Sequence, residues 1–201
     1  MPHLLVILLL AILAGGAVMA VRAWRGRCRR TELARLAGDL GFRYSREDPF
    51  DIPGRYASFA LLASGHSPAA VNVISGHLEG LSVRAFDFQY EAGHGTRRMT
   101  RRYGVVLLET DLPQPRLLMW HNGDFAPVPA RLATRTQGPW SLLGDVALTD
   151  AFLSACASWF PHGGCVEING PAVLLAAPGL TGRNNLPPLP DIVKAIKPLL
   201  T

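Results

Sequence analysis

Residues Leu4 to Val21, LLVILLLAILAGGAVMAV, form an apolar run without a single charged side chain. As an α-helix with a rise of 1.5 Å per residue, the run is roughly 27 Å long, which is close to the thickness of a bilayer's hydrocarbon core. Gly15 and Gly16 weaken a helix in water, but lipid offers the backbone no other hydrogen-bond partners. The run therefore predicts a transmembrane helix.

Positive charge follows this run and does not precede it. Only Met1, Pro2 and His3 come before the run. Loops rich in arginine next to a membrane span remain in the cytoplasm, and a tryptophan suits the interface. The sequence therefore predicts a single-pass protein of the cell inner membrane, with its N-terminus outside and its C-terminal domain in the cytoplasm. The flank that carries this prediction consists of Arg22, Trp24, Arg25, Arg27, Arg29 and Arg30.

A cleaved signal peptide is the alternative interpretation of the same segment. The small residues from Ala17 to Ala20 offer a cleavage point after Ala20. A secretory signal, however, carries its positive charge before the apolar core, which is not the order found here. We favour an uncleaved anchor over residues 1–30, and the arginines of its flank also suit anionic lipid headgroups.

The chain beyond the flank carries no net charge. The formal charge of the protein is +5, and five arginines lie in the flank, so residues 31–201 balance fifteen basic against fifteen acidic side chains. A polyanion needs a basic field to bind to. We therefore predict no nucleic-acid partner, and no motif indicates a cofactor.

Residues 31–201 have the size of one soluble domain with a core of its own. The three cysteines, Cys28, Cys156 and Cys165, are too few for a disulfide framework, which agrees with a reducing compartment. A pair between Cys156 and Cys165 stays open if the domain is exported.

The pattern of apolar residues predicts an α+β fold with a mainly antiparallel sheet and a few covering helices. From Thr31 an amphipathic helix, either separate from the apolar run or continuous with it, has Leu33, Leu36, Ala37 and Leu40 on one face, and Gly41 stands just after its end. Thr149 caps a second helix. Strands start near Val71 and Leu81, each bounded by glycine or proline. In the second strand, Arg84, Phe86, Phe88 and Tyr90 share one face, and Leu81, Val83, Ala85, Asp87 and Gln89 share the other. The further predicted segments are strands over 96–110 and 115–123, a surface excursion over Phe125–Asp145, a hairpin turn at Asn169–Gly170 and a helix over Asp191–Leu200.

One stretch is similar to a known group of proteins. The segment LARLAGDLGFRYSREDP follows the anchor, and NVISGHLEG, LSVRAFDFQY and VVLLET come after it. Together these segments, within residues 1–110, resemble an uncharacterised family of small bacterial membrane-anchored proteins. The resemblance implies a bacterial, membrane-attached protein and carries over no catalytic residue.

Three groups of side chains are candidates for chemistry. Asp87, Glu91 and His94 lie around one predicted hairpin loop and have the side-chain types of a divalent metal site. The competing interpretation pairs Asp87 with an arginine across the strand. Cys156, His162 and Cys165 offer three zinc ligands, but the helix pattern favours a buried thiol at Cys156.

The third group is basic and lies in the segment TRRMTRRY. Strand alternation places its arginines on both faces of the strand. One interpretation is a solvated edge that resists aggregation, and the other is a contact with an anion, a lipid headgroup or a protein partner. The group consists of Arg97, Arg98, Arg101 and Arg102.

These observations predict a non-enzymatic membrane protein whose cytoplasmic domain binds a protein partner or an anionic membrane surface. The alternative is a membrane-tethered hydrolase or metal-dependent enzyme that uses the acidic and histidine residues of the hairpin loop. The alternative requires those side chains to converge in one pocket.

Overall fold

The computed structural model describes residues 2–121, 135–144, 148–161, 163–179 and 188–197. The helices and strands occur in the order α1 (Pro2–Asp39), β1 (Arg43–Glu47), α2 (Ile52–Arg55), β2 (His66–Leu78), β3 (Leu81–Ala92), β4 (Met99–His121), β5 (Arg135–Gln137), β6 (Trp140–Leu143), α3 (Asp150–Trp159), β7 (Cys165–Pro178) and α4 (Leu189–Ile196), with a 3₁₀ turn at Gly95–Arg97.

Helix α1 is continuous from Pro2 to Asp39, so no helix end marks the predicted boundary after residue 30. It ends as the sequence predicts, because Gly41 adopts the left-handed conformation with a φ of 69°. The Phe42 N–H then reaches back to the Ala37 carbonyl at 2.7 Å, which completes the hydrogen-bond pattern of a glycine-terminated helix. Within the described part of the chain, no helix combines the length and the apolar character that a membrane crossing requires.

The seven strands form one sheet in which every described pair is antiparallel, as predicted. The order is β1-β2-β3-β4-β6-β5, and β7 pairs with β4 along almost its whole length. Strand β4 therefore has β3 beside its first half and β6 beside its last four residues. The fold class of a mainly antiparallel sheet with a few helices is confirmed.

The two faces of the sheet carry separate cores. Residues Leu33 and Ala37 of α1, with α3 and α4, cover the face that we call the helical face. The opposite face is covered by residues 48–64, which we call the strap. Along β3 the faces alternate as the sequence predicts: Val83 and Ala85 belong to the first core, and Phe86, Phe88 and Tyr90 to the second.

The two strands predicted at 96–110 and 115–123 are one strand, β4. The prediction separated them at Pro113 and Pro115, because proline removes a donor from the ladder. Here the pairing with β7 shifts register on both sides of Gln114, so the prolines lie at an irregularity where the strand bends and continues.

The hairpin turn predicted at Asn169–Gly170 is also wrong. Gly170 has a φ of 60°, but it lies opposite Gln114 at the same irregularity, and β7 runs through it. The predicted excursion over Phe125–Asp145 contains the hairpin of β5 and β6, which adds the buried Trp140 to the sheet. Residues 125–134 and 145 lie outside the described ranges. Glycine and proline thus mark bends as well as chain reversals.

The two late helices follow their predicted patterns. Thr149 caps α3, since its side-chain oxygen accepts a hydrogen bond from the Phe152 N–H at 3.2 Å. Helix α4 begins at Leu189, two residues before its predicted start, with Pro190 in its first turn. Residues 198–200 of the predicted helix lie outside the described ranges.

Candidate functional site

A buried carboxylate joins α1 to the sheet. Asp87 on β3 is 2% exposed, and it accepts hydrogen bonds from Arg29 Nη2 at 2.7 Å and Nε at 3.2 Å. Asn72 Nδ2 donates to the same carboxylate at 2.8 Å, while its Oδ1 accepts from the Tyr44 hydroxyl at 2.9 Å. We call Arg29, Asp87, Asn72 and Tyr44 the helix clamp. It fixes the direction in which α1 leaves the domain.

The clamp uses backbone geometry that few residues tolerate. Asn72 has a φ of 54°, in the left-handed region that asparagine adopts more readily than most side chains. The β2–β3 register shifts between Val71 and Ile74, and the resulting irregularity brings Asn72 to Asp87. Burial raises the pKa of Tyr44, so its hydroxyl remains a donor at neutral pH.

A second polar network holds the strap against the sheet. Arg84 is 8% exposed on the strap face, and its Nη1 donates to Glu109 Oε2 at 2.5 Å and to the Tyr56 hydroxyl at 3.1 Å. The Tyr56 hydroxyl also donates to Glu109. The Arg84 guanidinium lies over the Phe50 ring at 4.8 Å. The buried Arg84 side chain is thereby paired with the Glu109 carboxylate and also contacts the Phe50 ring.

These contacts set the protonation of the network. Burial, with the hydrogen bond to Glu109, raises the pKa of Tyr56 to about 12. Burial pushes the pKa of Glu109 upward, but hydrogen bonds from Tyr56 and Arg84 outweigh it, and the pKa lies below its usual range. Both groups therefore keep their paired state at neutral pH.

Glu167 on β7 is a third polar contact to the strap. It is 2% exposed, and its Oε2 accepts a hydrogen bond from the Ala60 N–H at 2.8 Å. Asn169, two residues along the strand, donates to the Ser58 carbonyl at 3.2 Å. Burial raises the pKa of Glu167 to about 7. The carboxyl thus titrates near neutral pH beneath the strap.

An open groove of about 790 Å³ lies between the strap and the start of β2. Asp48 shapes its wall, because its carboxylate accepts from the Phe50 and Ile52 N–H groups at 2.9 and 2.6 Å. Strand β1 pairs with β2 only from Val71 onward, so the groove runs beside an uncovered stretch of β2. Its lining combines prolines, acids and one arginine: Asp48, Pro49, Phe50, Asp51, Pro53, Arg55, Pro68, Ala69 and Ala70.

The three candidate metal ligands of the hairpin each have a different neighbour. Asp87 is held by Arg29, Glu91 pairs with Arg98 at 2.9 Å, and the His94 ring contacts the His66 ring at 5.1 Å. No group of three metal-binding side chains converges within the described residues. The arginine partner predicted for Asp87 exists, but it comes from α1 and not from a neighbouring strand.

The cysteines are free thiols in the structure. Cys156 lies on the buried side of α3 as predicted, and burial raises its pKa to about 12. Burial also raises the pKa of Cys165, which lies on the strap face, whereas Cys156 belongs to the helical core. His162 lies outside the described residues. The two thiols thus occupy opposite sides of the sheet.

The basic segment is only partly a strand. Arg97 ends the 3₁₀ turn and β4 begins at Met99, so the predicted alternation applies to Arg101 and Arg102 alone. Arg102 is exposed. Arg101 lies opposite Tyr90, and its buried Nε has no hydrogen-bond acceptor among the described residues.

The residues of the predicted membrane flank differ in their environments. Arg29 belongs to the helix clamp, whereas Trp24 is 66% exposed and Arg27 is exposed. Arg30 is half-buried. The side chains of Arg22 and Arg25 lie outside the described set.

Sequence reasoning missed the strap network, although a signal for it was present. Alternation placed Arg84 on the same face as Phe86 and Phe88, and a buried guanidinium requires an acidic partner. The partner, Glu109, lies on the neighbouring strand and opposite Ser82, which only the register reveals. Nothing in the local sequence marked Glu167 as buried.

No protein-family model and no curated protein sequence matches this chain. Its fold is similar to that in the crystal structure of the mycobacterial trehalose monomycolate transport factor A, TtfA, with a TM-score of 0.53. The similarity covers 85% of this chain and 93% of that one at 18% sequence identity. It supports the fold, with the mainly antiparallel sheet and its few helices.

Proposed function

We propose that this chain is a single-pass inner-membrane protein whose cytoplasmic domain binds a protein partner at the membrane. The observation that carries the proposal is the contrast between the two halves of α1. The second half packs on the sheet through Leu33 and Ala37, while apolar side chains of the first half are exposed. Those with more than half of their surface exposed are Ile7, Leu10, Ile12, Leu13, Val18 and Met19.

Exposed apolar side chains along one helix favour a lipid environment. The helix clamp lies eight residues after Val21, or about 12 Å along the helix, so the domain would be held close to the membrane surface. Arginines on the domain side of the run favour a cytoplasmic domain.

The groove beside the strap is the proposed docking surface for the partner. Its proline and phenylalanine side chains offer apolar contact, and its wall is fixed by the Asp48 hydrogen bonds and by the contact of Phe50 with Arg84. A pre-formed groove binds with a smaller ordering cost than a flexible one. TtfA, whose fold is similar, is a transport factor, which is compatible with an accessory role at a membrane.

Photo-crosslinking in intact cells tests the docking surface. We expect a crosslinkable amino acid at Pro68, in the groove, to give one discrete adduct with a membrane protein. Pro113 is the matched control, since it is an exposed proline of β4 outside the groove lining. Equal adducts from both positions, or none from Pro68, would contradict docking in the groove.

A fusion of alkaline phosphatase after Thr201 tests the orientation separately. Because the enzyme is active only outside the cytoplasm, the proposal predicts low activity in cells. A fusion of a fluorescent protein that folds in the cytoplasm should be bright at the same position. High phosphatase activity would show that the domain is exported.

A further inference from the structure

We infer that the hairpin between β3 and β4 is a second membrane contact, which binds the phosphates of anionic lipids through Arg97, Arg101 and Arg102. The inference rests on the proposed anchor and adds a surface to it. Its starting point is the direction of α1 relative to β3, which the structure fixes at two positions.

The first position is the helix clamp, where Arg29 meets Asp87. The second is the end of α1: after Gly41 the chain enters β1, whose Arg43 lies opposite Ser75, and Ser75 lies opposite Arg84. From Arg29 to its end, α1 therefore runs from the level of Asp87 toward the level of Arg84. Followed toward its N-terminus, α1 runs in the direction of Ala92 and the hairpin loop.

The distances agree with a hairpin that reaches the membrane surface. Ala92 is five residues beyond Asp87, or about 17 Å at a rise of 3.3 to 3.4 Å per strand residue. Trp24 is five residues before Arg29, or about 7.5 Å along the helix, and Val21 about 12 Å. The hairpin loop therefore extends at least as far toward the membrane as the charged flank of α1 does.

The hairpin has the side chains that such a contact needs. Its arginines outnumber its one carboxylate, Glu91, which pairs with Arg98. Arg97 and Arg102 are exposed and have no ion pair among the described residues. Met99 is 54% exposed between them, and an apolar side chain next to arginines suits the lipid interface. The pairing with Glu91 sets Arg98 apart from the other three.

Arg101 supplies the most specific observation. Its side chain is half-buried beside Tyr90, yet its buried Nε has no acceptor in the described chain. A buried donor without a partner costs free energy, and a phosphate oxygen is a strong acceptor for a guanidinium. The hairpin thus holds one unsatisfied donor, and because the Nε itself is buried, a lipid phosphate satisfies it only when the Arg101 side chain turns outward.

A fluorescent label tests the contact in the full chain, reconstituted in nanodiscs that contain a headgroup-linked quencher. Cys28 is replaced by serine, and Met99→Cys provides the labelling site, because Cys156 and Cys165 are buried. His77→Cys is the control, because it is exposed on β2 opposite Ser82, at the end of β3 farthest from the hairpin. We expect the label at residue 99, but not at residue 77, to be quenched when the discs contain phosphatidylglycerol.

The arginines are tested by the double variant Arg97→Ser and Arg102→Ser. Each should lower the ratio of docked to undocked hairpin about fivefold, and both together roughly 30-fold. The variant Arg35→Ser and Arg43→Ser removes the same charge nearer the other end of α1 and should leave quenching unchanged.

Different outcomes would overturn this inference and the proposed anchor. A chain that enters the discs while the label at residue 99 remains as unquenched as the label at residue 77 would overturn the hairpin contact alone. Quenching that persists in discs of phosphatidylcholine only, or in the Arg97 and Arg102 variant, would also overturn it. A chain that fails to elute with the discs would refute the anchor.

Discussion

Removing Arg29 should destabilise the domain more than its partial exposure suggests. The Arg29 side chain is 25% exposed, but the Asp87 side chain is only 3% exposed, so Arg29→Met removes a cationic partner from a buried carboxylate. Breaking a fully buried ion pair costs about 3–5 kcal/mol. Because water reaches Arg29, we expect a loss of about 2–3 kcal/mol in the free energy of unfolding.

The same helix contains a matched control. Arg35 and Asp39 form an ion pair at 3.8 Å whose side chains are 76% and 65% exposed. Exposed pairs four residues apart on a helix contribute about 0.3–0.5 kcal/mol. Arg35→Met should therefore change the free energy of unfolding by less than about 0.5 kcal/mol.

Urea unfolding of the full chain in a mild detergent measures both effects. The fluorescence of the buried Trp120 and Trp140 reports unfolding of the domain. Helix content is the poorer measure, because it includes the part of α1 that lies in the micelle. A double-mutant cycle with Asp87→Asn isolates the coupling, which we expect to exceed about 1.5 kcal/mol. A coupling no larger than that of Arg35 with Asp39 would refute the clamp as the contact that orients α1.

Three further predictions concern titration and thiol chemistry. The pKa of Glu167 in the folded state, about 7, lies above its unfolded value, so its stabilising proton is present at acid pH and lost as pH rises. As pH rises from 5 to 8, the free energy of unfolding of the Glu167→Gln variant should increase relative to that of the unmutated protein, by roughly 3 kcal/mol at most. A difference between the two proteins that stays constant over this pH range in urea unfolding would contradict the prediction. The pKa of Glu109 is lowered in the folded state, so its contribution to stability is present above the unfolded pKa and is lost as pH falls through the folded pKa. Glu109→Gln should abolish this loss of stability at acid pH. A variant that still loses the same stability at acid pH would disprove the prediction. Cys28 is exposed while Cys156 and Cys165 are buried, so a thiol reagent should modify one cysteine quickly in the folded protein and all three after unfolding, and two fast thiols would contradict the burial.

Much of the fold followed from local patterns in the sequence. The burial of Leu33 and Ala37, the glycine at position 41 and the Thr149 cap depend on a few neighbouring residues, and each was predicted correctly. Leu36, predicted on the same apolar face, is 43% exposed. Alternation along β3 likewise assigned its side chains to the correct faces. These features depend on neighbours that the sequence itself specifies.

The errors in the predicted strands arose at glycine and proline residues, which are compatible both with a bend within a strand and with the end of a strand. Pro113 and Gly170 were assigned to strand ends or turns, but they lie at an irregularity shared by two long paired strands. Only the partner strand decides between a bend and a reversal, and the partner is distant in sequence.

The polar contacts were hardest to predict for a related reason. Arg29 and Asp87 are 58 residues apart in the chain, and Arg84 and Glu109 are 25 apart. The charge pattern assigned Arg29 to a membrane flank, and nothing near Asp87 marked its partner. Such pairs depend on register and on the packing of α1, which residue types alone do not specify.

The N-terminus and the fractionation of the protein isolated from bacterial cells test the central claim most directly. The proposed anchor predicts an intact chain that begins with the residues of α1 and remains in the membrane pellet after alkaline carbonate extraction. A mature chain that begins at Val21 and is recovered in the supernatant would contradict it.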